Sequence, residues 1–380
     1  MSGAKRSAYV DMVKGIAIIV VVIIHLLAPC AVKNVFLHIT EMLVYAFFFY
    51  AGFFYSPGKR TIREGLKARF KSLMVPFFAY SLVFWAVGTV YMLIAKIETG
   101  MEALCCLRNF YGGCIWNRVI QNKFEWEYYS LGGRYPFLAD FWFFLALMMA
   151  YIVFIPLGEY VLRKKPVALI TALLMFALTG VLRAKAVDLP YNLQLIPFWV
   201  GLMMLGALSR PLKLMELPFM SGIKGWLISL ATIAGSVAAA MMKDPVSNVF
   251  RGNFGDEGEV RAMIISLLIS LVFIWGLSNL CRLIEESGIR VKELTKVGTL
   301  SLYFFVYHMF FGWILSIIFK VSLKFDGEIT TEILLKSIVI LVISFTLSVL
   351  AGLATEKIKM RYSTVCRMRR DRSVKLTQKT

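Results

Sequence analysis

Lys14 and His25 stand eleven residues apart in the first apolar run of the chain, which continues almost unbroken from Gly15 to Val32. At about 100° per residue this spacing amounts to three helical turns plus roughly 20°, so both side chains leave one face about 16 Å apart. Asp11 and Ile18 lie close to the same stripe. His is the side chain whose ordinary pKa suits proton transfer at neutral pH, which makes His25 a candidate general base. Lys14 offers a compact positive charge for an anionic group. Ionisable residues inside an apolar span are costly to bury, so they are read first as functional. The plainer alternatives are a lysine that snorkels to the headgroups and a histidine that hydrogen-bonds a neighbouring helix.

Other segments carry further candidates. His308 falls about ten residues into a late apolar span, where it serves either chemistry or helix association. Glu41 sits a few residues into the second span at a depth comparable to His25. It is either a carboxylate that orients the imidazole or an interfacial glutamate. Residues 57–73 form a basic loop with Lys59, Arg60, Arg63, Lys67, Arg69 and Lys71. Such cations meet phosphates, or they obey the positive-inside rule and touch anionic lipid. Glu127 and Trp126 belong to an acidic and aromatic cluster that would stack on and hydrogen-bond a sugar, or join an interfacial aromatic belt. Cys114 would pair with Cys105 or Cys106 in an extracytoplasmic loop, which leaves one thiol over. The spacing of cysteines and histidines there is not that of a metal site.

The elements that must position these residues follow from composition. The 380 residues are 59% hydrophobic, and the mean hydropathy of +0.72 excludes a soluble protein. The expectation is an all-α polytopic integral membrane protein of about ten transmembrane helices, at about 15–33, 36–56, 74–95, 137–162, 167–182, 192–208, 223–242 and 262–281, then one opening near 298 and a last at about 333–354. The first span has no evident small-residue cleavage site after it and reads as retained. With ten spans both termini share one side. That side holds 28 of the 42 Lys and Arg, and it carries the whole net charge of +19. The positive-inside rule makes it cytoplasmic. Residues 1–355 then form a membrane-embedded domain and 356–380 a basic cytoplasmic tail facing anionic lipid. Nucleic acid is not an expected partner, because no basic patch adjoins a base-reading module.

Several of these segments also carry a resemblance. The order acidic residue, base, Gly-Ile, aliphatic run and His, held by Asp11, Lys14, Gly15, Ile16 and His25, resembles the first helix of acyltransferase family 3. Lys14 stands where the family usually has Arg, as in members that resemble fucose O-acetylases. Lys67, Arg69 and Lys71 before Pro76 are similar to the family's basic loop. The run from Trp142 to Leu145, the helix with Pro197, Gly201 and Gly206, and the stretch from Gly298 to His308 also resemble family helices. Two positions depart: Leu43 stands where relatives often have His, and Ala51 where they have Ser.

The resemblance implies an integral-membrane O-acetyltransferase of the cell membrane, most simply a bacterial cytoplasmic membrane. It would move an acetyl group from acetyl coenzyme A to a hydroxyl of a surface or exported polysaccharide or its lipid-linked precursor. His25 would be the base or a transient acyl carrier, and His308 would stabilise the oxyanion or assist proton transfer. Lys14, Arg69 and Lys67 would hold coenzyme A phosphates, with acetyl coenzyme A a co-substrate and no bound cofactor. A transporter or flippase for a lipid-linked glycan, or a non-catalytic scaffold, are the competing classes.

Overall fold

The computed structural model describes residues 7–96, 99–107, 141–185, 187, 189–214, 217–242, 257–289, 291–322 and 328–377. These residues form helices α1 (Ala8–Leu26), α2 (Ala31–Phe53), α3 (Ile62–Ile94), α4 (Trp142–Val161), α5 (Lys165–Ala184), α6 (Ile196–Ser209), α7 (Gly222–Met241), α8 (Glu257–Glu286), α9 (Lys292–Thr299), α10 (Ser301–Phe319) and α11 (Thr331–Thr377). Among the described residues nine helices are long and apolar enough to cross a membrane, and a shorter apolar helix, Leu193–Ser209, makes a tenth candidate. The protein is therefore an all-α polytopic membrane protein, as its composition requires.

Two segments expected as linkers are helical. The basic stretch 57–73 becomes, from Ile62 onward, the opening turns of α3. Thr61 and Glu64 start it with a reciprocal capping box, in which the Thr61 hydroxyl accepts the Glu64 N–H and the Glu64 carboxylate accepts the Thr61 N–H. At 33 residues and about 1.5 Å per residue, α3 exceeds the hydrocarbon thickness and carries its basic turns beyond it. The second is the charged region 282–297. Its end folds as α9, which packs along the start of α1. Gly298 lies so close to the Asp11 carbonyl that a Cβ would collide with it, and Gly15 meets Leu294 in the same way. Glu285 in turn accepts the Ala8 and Tyr9 N–H groups at 3.3 and 2.9 Å. It supplies the anionic cap that Ser7 does not. The expected basic tail continues α11 without a break to Thr377.

The core lies where α1, α2, α6 and α10 meet. Trp199 of α6 stacks on Phe48 of α2 with ring centroids 4.1 Å apart. The two backbones approach there because Gly52 faces Met203 and Gly206 faces Phe49, and no side chain fits at either position. The outer helices leave large apolar residues uncovered, among them Val83 and Val90 on α3, Leu173 and Leu174 on α5, Leu227 on α7 and Leu350 on α11. In a bilayer these residues face hydrocarbon.

Candidate active site

α1 carries Lys14 near its start and His25 in its last turn, and the helix holds both on the wall of one cavity of about 450 Å³. α2 adds Glu41 and Ala51, α3 adds Arg69, α4 adds Trp142 and Tyr151, and α10 adds Ser301 and Phe305. Between its polar ends the wall is largely apolar, with Ile18, Val21, Val44, Phe47, Leu147 and Leu302.

At the basic end each cation rests over an aromatic ring. The Arg69 guanidinium is 4.5 Å from the Tyr151 centroid, and Lys14 Nζ is 5.6 Å from that of Phe54. Such contacts contribute about 0.5–2 kcal/mol, more as water is excluded. Tyr151 is buried, and its hydroxyl donates to the Ala51 carbonyl at 3.3 Å. The chain between α2 and α3 is fastened beside this mouth by Glu159 of α4. The Glu159 carboxylate accepts the Gly58 N–H at 3.0 Å, the Tyr55 hydroxyl at 3.1 Å and the Arg163 guanidinium at 2.9 Å. Gly58 takes φ +76 to reach it, a conformation open to glycine. Burial first, then the hydrogen bond and charge of Glu159, push the Tyr55 phenol up to about 12, so Tyr55 stays a donor across the neutral range. Sequence reasoning did not reach Tyr151, Phe54, Tyr55 or Glu159. No spacing rule marks an aromatic as the seat of a cation from another helix.

At the opposite end the structure brings His25 and His308 together. Their ring centroids are 5.4 Å apart with a tilt of 50°. His25 is half-buried and lines the cavity. His308 is wholly buried behind it and does not line the cavity, and its Nδ1 lies 2.8 Å from the Phe304 carbonyl oxygen. A carbonyl only accepts, so Nδ1 carries the proton and donates it. Glu41 lines the cavity and is buried. The Tyr45 hydroxyl donates to one of its oxygens and the Ser266 hydroxyl, at 2.8 Å, to the other. The first bond lies within α2 and the second ties α2 to α8, and together they fix the carboxylate on the cavity wall.

Of the residues expected from sequence, Lys14, Arg69, His25 and Glu41 share one cavity, and His308 stands directly behind it. Lys67 is exposed on α3 and does not line the cavity. It is two residues from Arg69, and a helix turns them roughly 200° apart. Glu127, Trp126 and Cys114 lie outside the described residues, and with Cys114 so does its expected pairing to Cys105 or Cys106.

A charged mouth, an apolar passage and a pair of histidines inside a helical membrane bundle define a polytopic membrane enzyme. The sequence profile of acyltransferase family 3, described as an acyltransferase domain, matches residues 7–355. This chain belongs to that family and is an acyltransferase. No curated protein and no solved structure gives a match.

Proposed function

We propose that the protein is an O-acetyltransferase of a bacterial cytoplasmic membrane that moves acetyl from acetyl coenzyme A to a hydroxyl of a surface or exported polysaccharide or its lipid-linked precursor. One observation carries this reading: a single cavity joins two cations at the basic end to His25 at the other. Lys14 and Arg69 suit the phosphates of the donor, the first as a point charge and the second as a fork. The apolar stretch between them and His25, about 16 Å along α1, suits the pantetheine arm that carries the thioester.

At the far end His25 takes the proton of the acceptor hydroxyl as that oxygen attacks the thioester carbonyl. The new C–O bond forms, the C–S bond breaks, and the coenzyme A thiolate recovers the proton. In the alternative course, His25 first takes the acetyl group on a ring nitrogen and then passes it to the hydroxyl. The excess of Lys and Arg on the side of both termini supports a cytoplasmic donor. The test is acetyl transfer by purified protein in proteoliposomes supplied with acetyl-labelled coenzyme A and the host's glycan fraction. Ester-linked label on the glycan is expected. A wild-type protein that consumes no acetyl coenzyme A would rule the reading out.

A further inference from the structure

We propose that Ser301 reads the arm of the donor: its hydroxyl donates a hydrogen bond to the secondary hydroxyl of the pantoyl unit, the first polar group of coenzyme A beyond the phosphates. The inference rests on the reading of coenzyme A as donor and assigns a contact inside the passage between the cations and His25.

The position of Ser301 follows from how α9 and α10 lie along α1. Gly298 sits against the backbone of Asp11 and Gly15, and Gly312 sits against the Leu26 side chain, each too close to admit a Cβ. The two segments therefore run in the same direction at matching depth, and Ser301 falls level with Gly15 and Ile16. The charge of Lys14 lies further out. Its ammonium reaches back over Phe54, the neighbour of Phe53, and the Phe53 ring meets Tyr9 at the start of α1 with centroids 6.5 Å apart. Ser301 thus lines the cavity on the His25 side of that charge, about 5–10 Å along the axis. A phosphate seated at the cation puts the pantoyl hydroxyl, a few bonds from phosphorus, within that reach.

The hydroxyl of Ser301 is also open to such a partner. Of the other hydroxyls on the wall, Thr40 donates to the Phe36 carbonyl at 2.6 Å and Tyr151 to that of Ala51 at 3.3 Å. Tyr50 donates to Ser278, whose own proton goes to the Ile274 carbonyl. Ser301 makes no hydrogen bond among the described residues. Nor does it turn back to a carbonyl of its own helix, as Ser209 and Ser316 do. It is half-buried beside Leu302 and Phe305, which face the same cavity. A hydroxyl left uncommitted on so apolar a wall takes its partner from the ligand.

The contact gives the passage a means of selection that charge and apolar surface lack. Cations hold any phosphate, and an apolar wall accepts any chain of suitable width. An arm with the pantoyl hydroxyl satisfies Ser301, whereas an arm without it strands the serine against hydrocarbon.

Two binding comparisons on purified protein in detergent test this. The first sets coenzyme A against an analogue with hydrogen in place of the pantoyl hydroxyl, on wild type and Ser301→Ala. Wild type is expected to bind coenzyme A roughly two- to tenfold more tightly than the analogue, the scale of one net hydrogen bond, and Ser301→Ala to bind the two alike. The second uses the nucleotide bisphosphate half of coenzyme A, which carries phosphates and no arm. Wild type and Ser301→Ala are expected to bind it equally, which shows the variant folded with its charged mouth intact. A wild type that binds coenzyme A and the analogue equally, a Ser301→Ala loss that is the same for both, or a loss of bisphosphate binding would overturn the proposal and leave coenzyme A as the donor. A wild type that binds none of the three compounds would overturn the donor reading and this proposal together.

Discussion

Removing the aromatic seat beneath Arg69 should weaken donor binding by an amount that the geometry sets. The guanidinium lies 4.5 Å from the Tyr151 centroid, inside the range where a cation is held by a ring face. The ring is buried and Arg69 half-buried, so the contact falls between the exposed and desolvated limits, about 0.5–2 kcal/mol. At about 1.4 kcal/mol per decade, that is roughly a two- to thirtyfold rise in donor KM for Tyr151→Leu. Tyr151→Phe keeps the ring and loses the bond to the Ala51 carbonyl, so its KM should stay near the wild-type value. Tyr151→Leu also removes buried volume at a cost of a few kcal/mol in stability, so the comparison requires protein that elutes as one species in detergent. The assay is initial rate against acetyl coenzyme A for wild type, both Tyr151 variants, Arg69→Ala and the Arg69→Ala, Tyr151→Leu double variant. The reasoning requires the double variant to be no worse in KM than Arg69→Ala alone, since the ring acts through the cation. Independent, multiplying effects would refute it, as would a Tyr151→Phe defect equal to that of Leu.

The remaining predictions follow from the same structure. Lys14→Gln should raise donor KM while Lys67→Gln leaves it within about twofold, because Lys67 is exposed away from the cavity; steady-state kinetics on the two variants decides this. Glu41→Leu strands the buried Tyr45 and Ser266 hydroxyls, at about 1–3 kcal/mol for each polar group left unsatisfied. Its melting temperature in detergent should fall well below that of Glu41→Gln, which still offers an acceptor. Gly206→Leu should prevent accumulation of folded protein, since any side chain there meets the Phe49 backbone; fluorescence-detected size exclusion reports it. Varying donor and acceptor together separates the two courses at His25, with intersecting reciprocal plots for direct transfer and parallel ones for an acetyl-histidine intermediate.

What the sequence made legible was the helical class, the number of spans and the shared face of Lys14 and His25. Each depends on local periodicity, and α1 is a regular helix from Ala8 to Leu26. The membership shown by the match over 7–355 agrees with the motif spacing around both histidines. The partners across helices were not legible. His25 and His308 meet because α1 and α10 pack at Gly312, a contact between distant parts of the chain that no pattern within either helix encodes. Lys67 and Arg69 look alike in a loop and differ on a helix, and the capping box at Thr61 makes that segment a helix. Glu159 drew no notice as one charge near the end of an apolar span, yet it fastens the chain beside the mouth through Gly58 and Tyr55. Where binding depends on side chains converging from separate elements, residue spacing narrows the candidates and packing selects among them.

The most direct test of the central claim is the acetyl-transfer rate of wild type and His25→Gln in proteoliposomes at matched protein, alongside coenzyme A binding to both. A cavity that seats the donor at Lys14 and Arg69 and performs the chemistry at His25 predicts a loss of about a hundredfold or more in rate with binding retained. Equal rates, or a loss that tracks failure to bind coenzyme A, would contradict it.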